Sequence, residues 1–184
     1  MDQTLYTLNV YSENFAGLLN QITTIFTRRQ LNIESLNVSA SSIKGIHKYT
    51  ITTVTDEDTI QKVTKQIEKR IDVVQANYFL DDEIYYREIA LYKIPTKELL
   101  DTNRIESIIS RHNARLIEVN PTFTVLQKSG TTEETQELYD ELKQIGILQF
   151  VRSGRVAITK SCIETLNEYL AEREAKYGRP AENA

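Results

Sequence analysis

The chain has 184 residues, 40% of them hydrophobic and 26% charged, with a formal net charge of −4 and a pI near 5.4. That length suits two small domains. The acidic balance disfavours nucleic acid or an anionic membrane as partner, since either wants a concentrated basic face.

Thr4 to Tyr11 alternates, with Tyr6, Leu8 and Val10 on one face and Thr7 and Asn9 on the other, the period of a half-buried strand. Ser12 to Ala16 reads as a polar loop closing on Gly17. Leu18, Leu19, Ile22, Ile25 and Phe26 then recur at helical spacing. Arg28 and Arg29 fall in the last turn, where solvated cations complement the helix dipole. Leu31 to Ser39 returns as a strand, Ser41 to Gly45 supplies turn residues, and Tyr49, Ile51 and Thr53 continue the alternation to Val54. Thr55-Asp56-Glu57-Asp58 opens a helix with acids in its first turn, followed by Ile60, Val63, Ile67 and Ile71 at spacings of three or four. Val73 to Phe79 closes the unit as a fourth strand. The order β-α-β-β-α-β is the split βαβ, or ferredoxin-like, arrangement: two helices on one face of a four-stranded antiparallel sheet.

Leu80 to Glu83 is a charged joint and the best boundary. Beyond it Ile84 to Ile94 alternates, with Ile89 and Leu91 on one face and Ala90 and Tyr92 on the other, and Pro95 ends the strand. Ile105, Ile108, Ile109 and His112 mark a helix. Ala114 to Val119 and Thr122 to Gln127 read as strands joined at Asn120-Pro121, a turn dipeptide. Thr132 to Gln144 is a helix with Thr135, Leu138, Tyr139 and Leu142 inward. Ile147 to Val151 is a strand, and Arg152-Ser153-Gly154 turns the chain into a short strand from Val156 to Thr159. The second half thus repeats the first with one extra strand, and a charged helix from Ile163 to Tyr177 follows, stopped by Gly178-Arg179-Pro180. The expected fold class is α+β: two tandem ferredoxin-like domains, residues 1–80 and 84–160, with a helical tail over 161–184.

Catalytic groups are scarce. Cys162 is the one cysteine, so no internal disulfide forms, and with only His47 and His112 beside it no zinc-type set exists. The two histidines lie in unrelated elements, which excludes a Ser/His/Asp arrangement, and His112 reads as a helix-face residue without chemistry. Six glycines, none clustered, leave no phosphate-cradling or dinucleotide loop. Cys162, near a helix start, has no base beside it and reads as structural or incidental. No apolar run approaches the ~18 residues of a membrane span and no signal-peptide pattern opens the chain, so a cytoplasmic location is expected.

The loop from Asn14 to Gly17 and the strand start at Asn32 remain. Gly17 can be a tight helix entry and Asn14 a turn residue. Alternatively, the backbone N–H groups of Gly17, Leu18 and Leu19 at a helix start can hold a carboxylate, and an Asn side chain offers both acceptor and donors to a free amino acid. The topology is expected to bring this loop and the second-strand start to the same end of the sheet.

These residues carry a family resemblance. Glu13, Asn14 and Gly17 (EN-x-x-G), Asn32 to Leu36 (NIESL), Arg87 to Ile94 (RE-I-x-L-x-KI) and Arg152-Ser153-Gly154 stand in register over roughly residues 3–160. The first domain resembles an ACT domain, and the whole chain resembles the regulatory (small) subunits of acetolactate synthase, also called acetohydroxyacid synthase. The resemblance implies a non-catalytic subunit. It would activate a catalytic (large) subunit and confer feedback inhibition by a branched-chain amino acid, valine foremost, in valine, isoleucine and leucine biosynthesis. It implies that thiamine diphosphate, Mg and FAD belong to that partner, with no cofactor or metal on this chain. It also implies a homodimer through ACT domains. The effector would lie at the interface, touched by Asn14, Gly17, Leu18 and Leu19 of one protomer and Asn32 and Ile33 of the other.

Two positions depart from the family pattern. Gln30 stands where a glycine is usual, which calls for an unstrained turn or a small cost. Phe15-Ala16 replaces small, polar or proline residues in the loop, so Phe15 is expected at the pocket rim or at the dimer interface. The alternative function is a free-standing amino-acid-sensing ACT protein acting on a different partner.

Overall fold

A computed structural model describes residues 3–100, 103–162 and 171. The chain divides into two compact units, one formed by residues up to Tyr85 together with the segment from Ala157, the other by Tyr86–Val156.

The first unit runs β1 (Thr4–Glu13), α1 (Leu18–Arg28), β2 (Ser35–Ala40), β3 (Ile46–Thr55), α2 (Glu57–Glu68) and β4 (Val73–Phe79). Its sheet order is β2-β3-β1-β4, with every neighbouring pair antiparallel. The alternation read from the sequence places Tyr6, Leu8, Val10, Tyr49 and Ile51 on the face that meets α1 and α2. Ile22, Ile25 and Phe26 of α1 and Ile60, Val63 and Ile67 of α2 close a core whose members are almost wholly buried. Ile71, expected to continue the α2 stripe, is instead 97% exposed, because that helix ends at Glu68. Asp56 caps α2, accepting from the Thr59 amide at 2.9 Å and the Thr59 hydroxyl at 2.8 Å. Those two bonds hold its carboxyl below the usual carboxylate range.

A short 3-10 turn, Asp81–Glu83, leads into β5 (Ile84–Pro95), α3 (Thr96–Leu100), α4 (Asn103–Arg111), β6 (Arg115–Val119), β7 (Phe123–Gly130), α5 (Thr132–Lys143), β8 (Gln149–Arg152) and β9 (Val156–Thr159). The second sheet has the order β6-β7-β5-β8, and β9 also pairs with β5. Ala90, Tyr92, Ile94 and Leu126 face Ile105 and Ile108 of α4 and Leu138 and Leu142 of α5. Tyr92 is fully buried, its hydroxyl donates to the Thr135 carbonyl at 2.7 Å, and burial raises its pKa. The short helix α3, unmarked by any apolar period, follows directly on the proline that ends β5. The expected tail helix from Ile163 to Tyr177 lies outside the described residues apart from residue 171. Among the described residues no helix is long and apolar enough to cross a membrane.

Candidate functional site

The segment Asn14–Gly17 joins β1 to α1. Its backbone is tied on three sides: Glu13 N–H donates to the Asp72 carbonyl at 2.9 Å, Asn14 N–H to Gly45 at 3.0 Å and Phe15 N–H to Glu13 at 3.0 Å. Gly17 is the N-cap of α1 with φ 91°, a left-handed conformation that favours glycine. It offers no capping side chain, and no acidic residue stands in the first turn. Leu18 N–H donates back to the Phe15 carbonyl at 3.3 Å and Gln21 N–H to Gly17 at 3.1 Å. Leu18 was expected among the anion donors. Its amide is instead consumed by the turn, and its side chain is fully buried in the core. The amides of Leu19 and Asn20 point out of the open helix end, where the partial positive charge of the dipole is concentrated. Phe15 is 58% and Leu19 41% exposed, so two apolar side chains flank those donors.

Asn32 is exposed, and its carbonyl accepts from the Thr53 hydroxyl at 2.7 Å. Ile33 is half-buried and packs against the first core. The expectation that Asn32 shares one end of the sheet with the loop is overturned by the strand register. Ser35 lies opposite Thr52, and Thr52 opposite Thr7, so the start of β2 is level with the start of β1. The loop follows the other end, where Ser12 lies opposite His47 and Val73. Helix α1 carries the chain back along the sheet, so β1 and β2 run parallel. Within one chain the loop and Asn32 are separated by roughly 20 Å, about seven residues at a strand's rise.

Between them α1 ends in a complete Schellman motif, with Gln30 N–H donating to Thr27 and Leu31 N–H to Phe26, both at 3.0 Å. Gln30 takes φ 55° to do so. The usual glycine is therefore replaced at a left-handed position, and the cost is borne by Gln30 rather than avoided.

The two motifs of the second unit converge on one buried cluster. Glu88, 5% exposed, accepts from the Thr132 hydroxyl at 2.8 Å, and its carboxylate faces Arg152 Nε at 3.3 Å and Arg155 Nε at 3.6 Å. The Ser153 hydroxyl accepts from Ile89 N–H at 2.9 Å. Arg155, 2% exposed, lies 3.8 Å from the Tyr86 ring centroid. The RE and RSG motifs thus lock β5, β8 and the start of α5 together. Arg155 and Thr132 were not singled out from the sequence. The available signal was the parity of Glu88, which shares the inward face with Ala90, Tyr92 and Ile94.

His112 directly follows α4 and has a structural role there: its Nε2 lies 3.0 Å from Glu141 Oε1, and its carbonyl accepts from Lys128 Nζ at 2.6 Å. Arg111 reaches the same carboxylate at 3.0 Å. The hydrogen bond to His112 is the largest influence holding Glu141 below the usual carboxylate range. Cys162 is exposed. Among the described residues no group of three or more His, Cys, Asp or Glu could hold a metal ion.

A family model for the small subunit of acetolactate synthase matches residues 87–161, and a model for the ACT domain matches residues 6–72. The Bacillus subtilis acetolactate synthase small subunit is 32% identical over 148 residues, 80% of this chain and 86% of that one. The chain belongs to the acetolactate synthase small subunit family. The Buchnera aphidicola member is 30% identical over 155 residues, 84% of this chain and 97% of its own. A crystal structure of the Thermotoga maritima acetolactate synthase small subunit covers 86% of this chain and 99% of that chain. It has a TM-score of 0.78 at 24% identity, which supports the fold. The chain is accordingly a small subunit with an ACT domain at its N-terminal side, not itself the catalytic member of the synthase.

Proposed function

We propose that this small subunit activates the thiamine-diphosphate-dependent catalytic subunit of acetolactate synthase in the cytoplasm. It would confer feedback inhibition by a branched-chain amino acid, valine foremost, held where two ACT domains meet. The observation that carries this assignment is the position of the uncapped α1 start relative to Asn32. They lie at opposite ends of one sheet, yet β2 is its edge strand. If β2 of a second copy pairs antiparallel with β2 of the first, the two-fold axis brings the copy's Asn32 to the end that holds Gly17. A pocket assembled that way has an anion-binding helix start and apolar Leu19 from one protomer, with an amide side chain and Ile33 from the other. Asn14 would border it, and Phe15 would stand at its rim. That combination suits the carboxylate, ammonium and short aliphatic side chain of a branched-chain amino acid.

Inhibition is allosteric in this scheme: the amino acid must bind more tightly to the low-activity state of the complex than to the active one. The test is to mix the purified chain with the catalytic subunit and titrate valine, leucine and isoleucine. Activity should rise on mixing and fall with effector, and the chain alone should form no acetolactate. A partner whose activity is unchanged by mixing contradicts the assignment. Pull-down of a different protein, and never the synthase, would favour the free-standing sensor instead.

A further inference from the structure

The first sheet carries α1 and α2 on one face. On its other face the register sets Thr52 beside Thr7, Thr50 beside Asn9, and Lys48 beside Tyr11. An antiparallel sheet with helices on one side ordinarily turns such polar side chains to water. Here Thr7 is 0%, Asn9 4%, Thr50 4% and Thr52 2% exposed, so this face is covered. Its polar groups are satisfied, as burial demands. The Thr50 hydroxyl donates to Asn9 Oδ1 at 3.3 Å, and the Thr52 hydroxyl lies 2.7 Å from Ser35 Oγ. None of Thr7, Tyr11 and Lys48 is without a partner.

The burial is that of a single chain, so neither a second copy nor a foreign protein supplies the cover. Helices α1 and α2 lie on the opposite face. The longest segment of this compact unit outside its sheet and helices is the one from Ala157 onward. Lys48 Nζ donates to the Ala157 carbonyl. Lys160 is then fixed to the turn after β4: its N–H donates to the Glu83 carbonyl at 2.9 Å and its Nζ to the Asp82 carbonyl at 2.7 Å. Because Phe79 at the end of β4 pairs with Thr7, the chain reaches Cys162 near the Thr7 end of the covered face. The sequence that follows has the length and charge to continue over it. A helix over 163–177 is about 22 Å long, while the face from Thr7 to Tyr11 measures about 13 Å along the strands and about 14 Å across four of them. That segment carries Glu164, Glu168, Glu172 and Glu174 against Arg173 and Lys176, whereas the rungs of the face hold Lys48 and no carboxylate. Ala171, next to Leu170, is helical and exposed, as the solvent side of a docked helix must be.

We infer that residues 163–177 dock as an amphipathic helix on the outer face of the first unit's sheet, with the Ile163, Leu166 and Leu170 stripe over Thr7, Asn9, Thr50 and Thr52. The threonine methyls meet the aliphatic stripe, and the acids of the helix stand near Lys48. This does not rest on the functional assignment. It makes the outer face of the ACT domain self-occupied and leaves the β2 edge, not this face, for a second copy.

The experiment uses the full chain with Cys162→Ser, so that an introduced thiol is the only one. Thr50→Cys reports on the covered face and Ala76→Cys, in the apolar core, serves as control. Adding Leu166→Asp and Leu170→Asp should speed thiol labelling at position 50 by about tenfold or more, as for a locally opened cover. The rate at position 76 and the mass by light scattering should not change. In a chain otherwise wild type, Lys48→Glu should speed tryptic cleavage at Arg173 and Lys176 by opposing the acidic helix. An unchanged labelling rate at position 50 overturns the inference, because the cover then lies elsewhere in the chain. Equal acceleration at positions 50 and 76 also overturns it, by showing general loosening. So does labelling at position 50 that slows as chain concentration rises, which makes the face a contact between copies. If Thr50→Cys does not fold, cleavage decides: a rate unaffected by Lys48→Glu contradicts the docked helix.

Discussion

Helix α1 of the first unit begins on a bare glycine, whereas α5 of the second begins on a closed capping box. There Thr131 accepts from the Glu134 amide, and Glu134 accepts from the Thr131 amide at 2.8 Å. The cores differ as well. Among the described residues the first buries only uncharged polar side chains, Asn9 and Thr50 among them, while the second buries the charged Glu88 and Arg155 beside its aliphatic residues. The lesson is that one topology assigns its polar atoms in two ways. The second unit spends its charges internally to fix its strands and helix start. The first leaves a helix start unsatisfied at its surface, the condition a regulatory anion needs.

The largest effect should come from breaking the internal cluster. Glu88→Ala leaves two arginines without their buried counter-charge and should cost about 3–5 kcal/mol of stability in denaturant unfolding. A loss under 1 kcal/mol would show that the cluster is solvated and that the two units do not differ in this way. At the open helix start, Gly17→Asp should cost about 2 kcal/mol of amino-acid affinity, a loss of roughly 30-fold, by opposing the ligand carboxylate. It should not improve stability, because φ 91° is not the extended geometry in which an Asp N-cap works. Calorimetric titration reads the first effect and thermal unfolding the second.

The fold was largely legible because alternation and helical spacing coincide with burial at Tyr6, Leu8, Val10, Ala90, Tyr92 and Ile94. What was not legible is what depends on register. Nothing local tells which end of the sheet receives Asn32, because that follows from α1 returning the chain before β2 begins. The fate of the Leu18 amide also depends on a turn bond to Phe15, three residues upstream. Glu88 could be placed inward by parity, but its partners come from 44 and more residues later in the chain.

Smaller effects sharpen the contrast. Thr131→Ala should cost about 1 kcal/mol by opening the α5 cap, with no change in amino-acid binding. Gln30→Gly should gain up to about 1 kcal/mol by relieving φ 55°. Asn113→Gly, at the matching Schellman position of α4 with φ 49°, should gain less, since Asn tolerates that region. Equal gains at both positions would deny that Gln30 is the costlier residue. The smallest effect concerns pH. Glu141 has a lowered folded pKa, so its bond to His112 contributes stability above the unfolded carboxylate pKa and loses it as pH falls through the folded value. Glu141→Gln should therefore remove part of the acid limb of the stability profile and leave the remainder unchanged.

The central claim, a pocket shared between two copies, is tested most directly by complementation. Gly17→Asp and Asn32→Ala should each remove valine binding at wild-type affinity, because each variant damages both pockets of its own dimer. Mixed after subunit exchange, the two variants form dimers in which one pocket carries both defects and the other carries neither. Valine binding at wild-type affinity should reappear in a fraction of the sites. Binding that stays absent in the mixture, with mixed dimers shown to be present, would contradict the shared pocket.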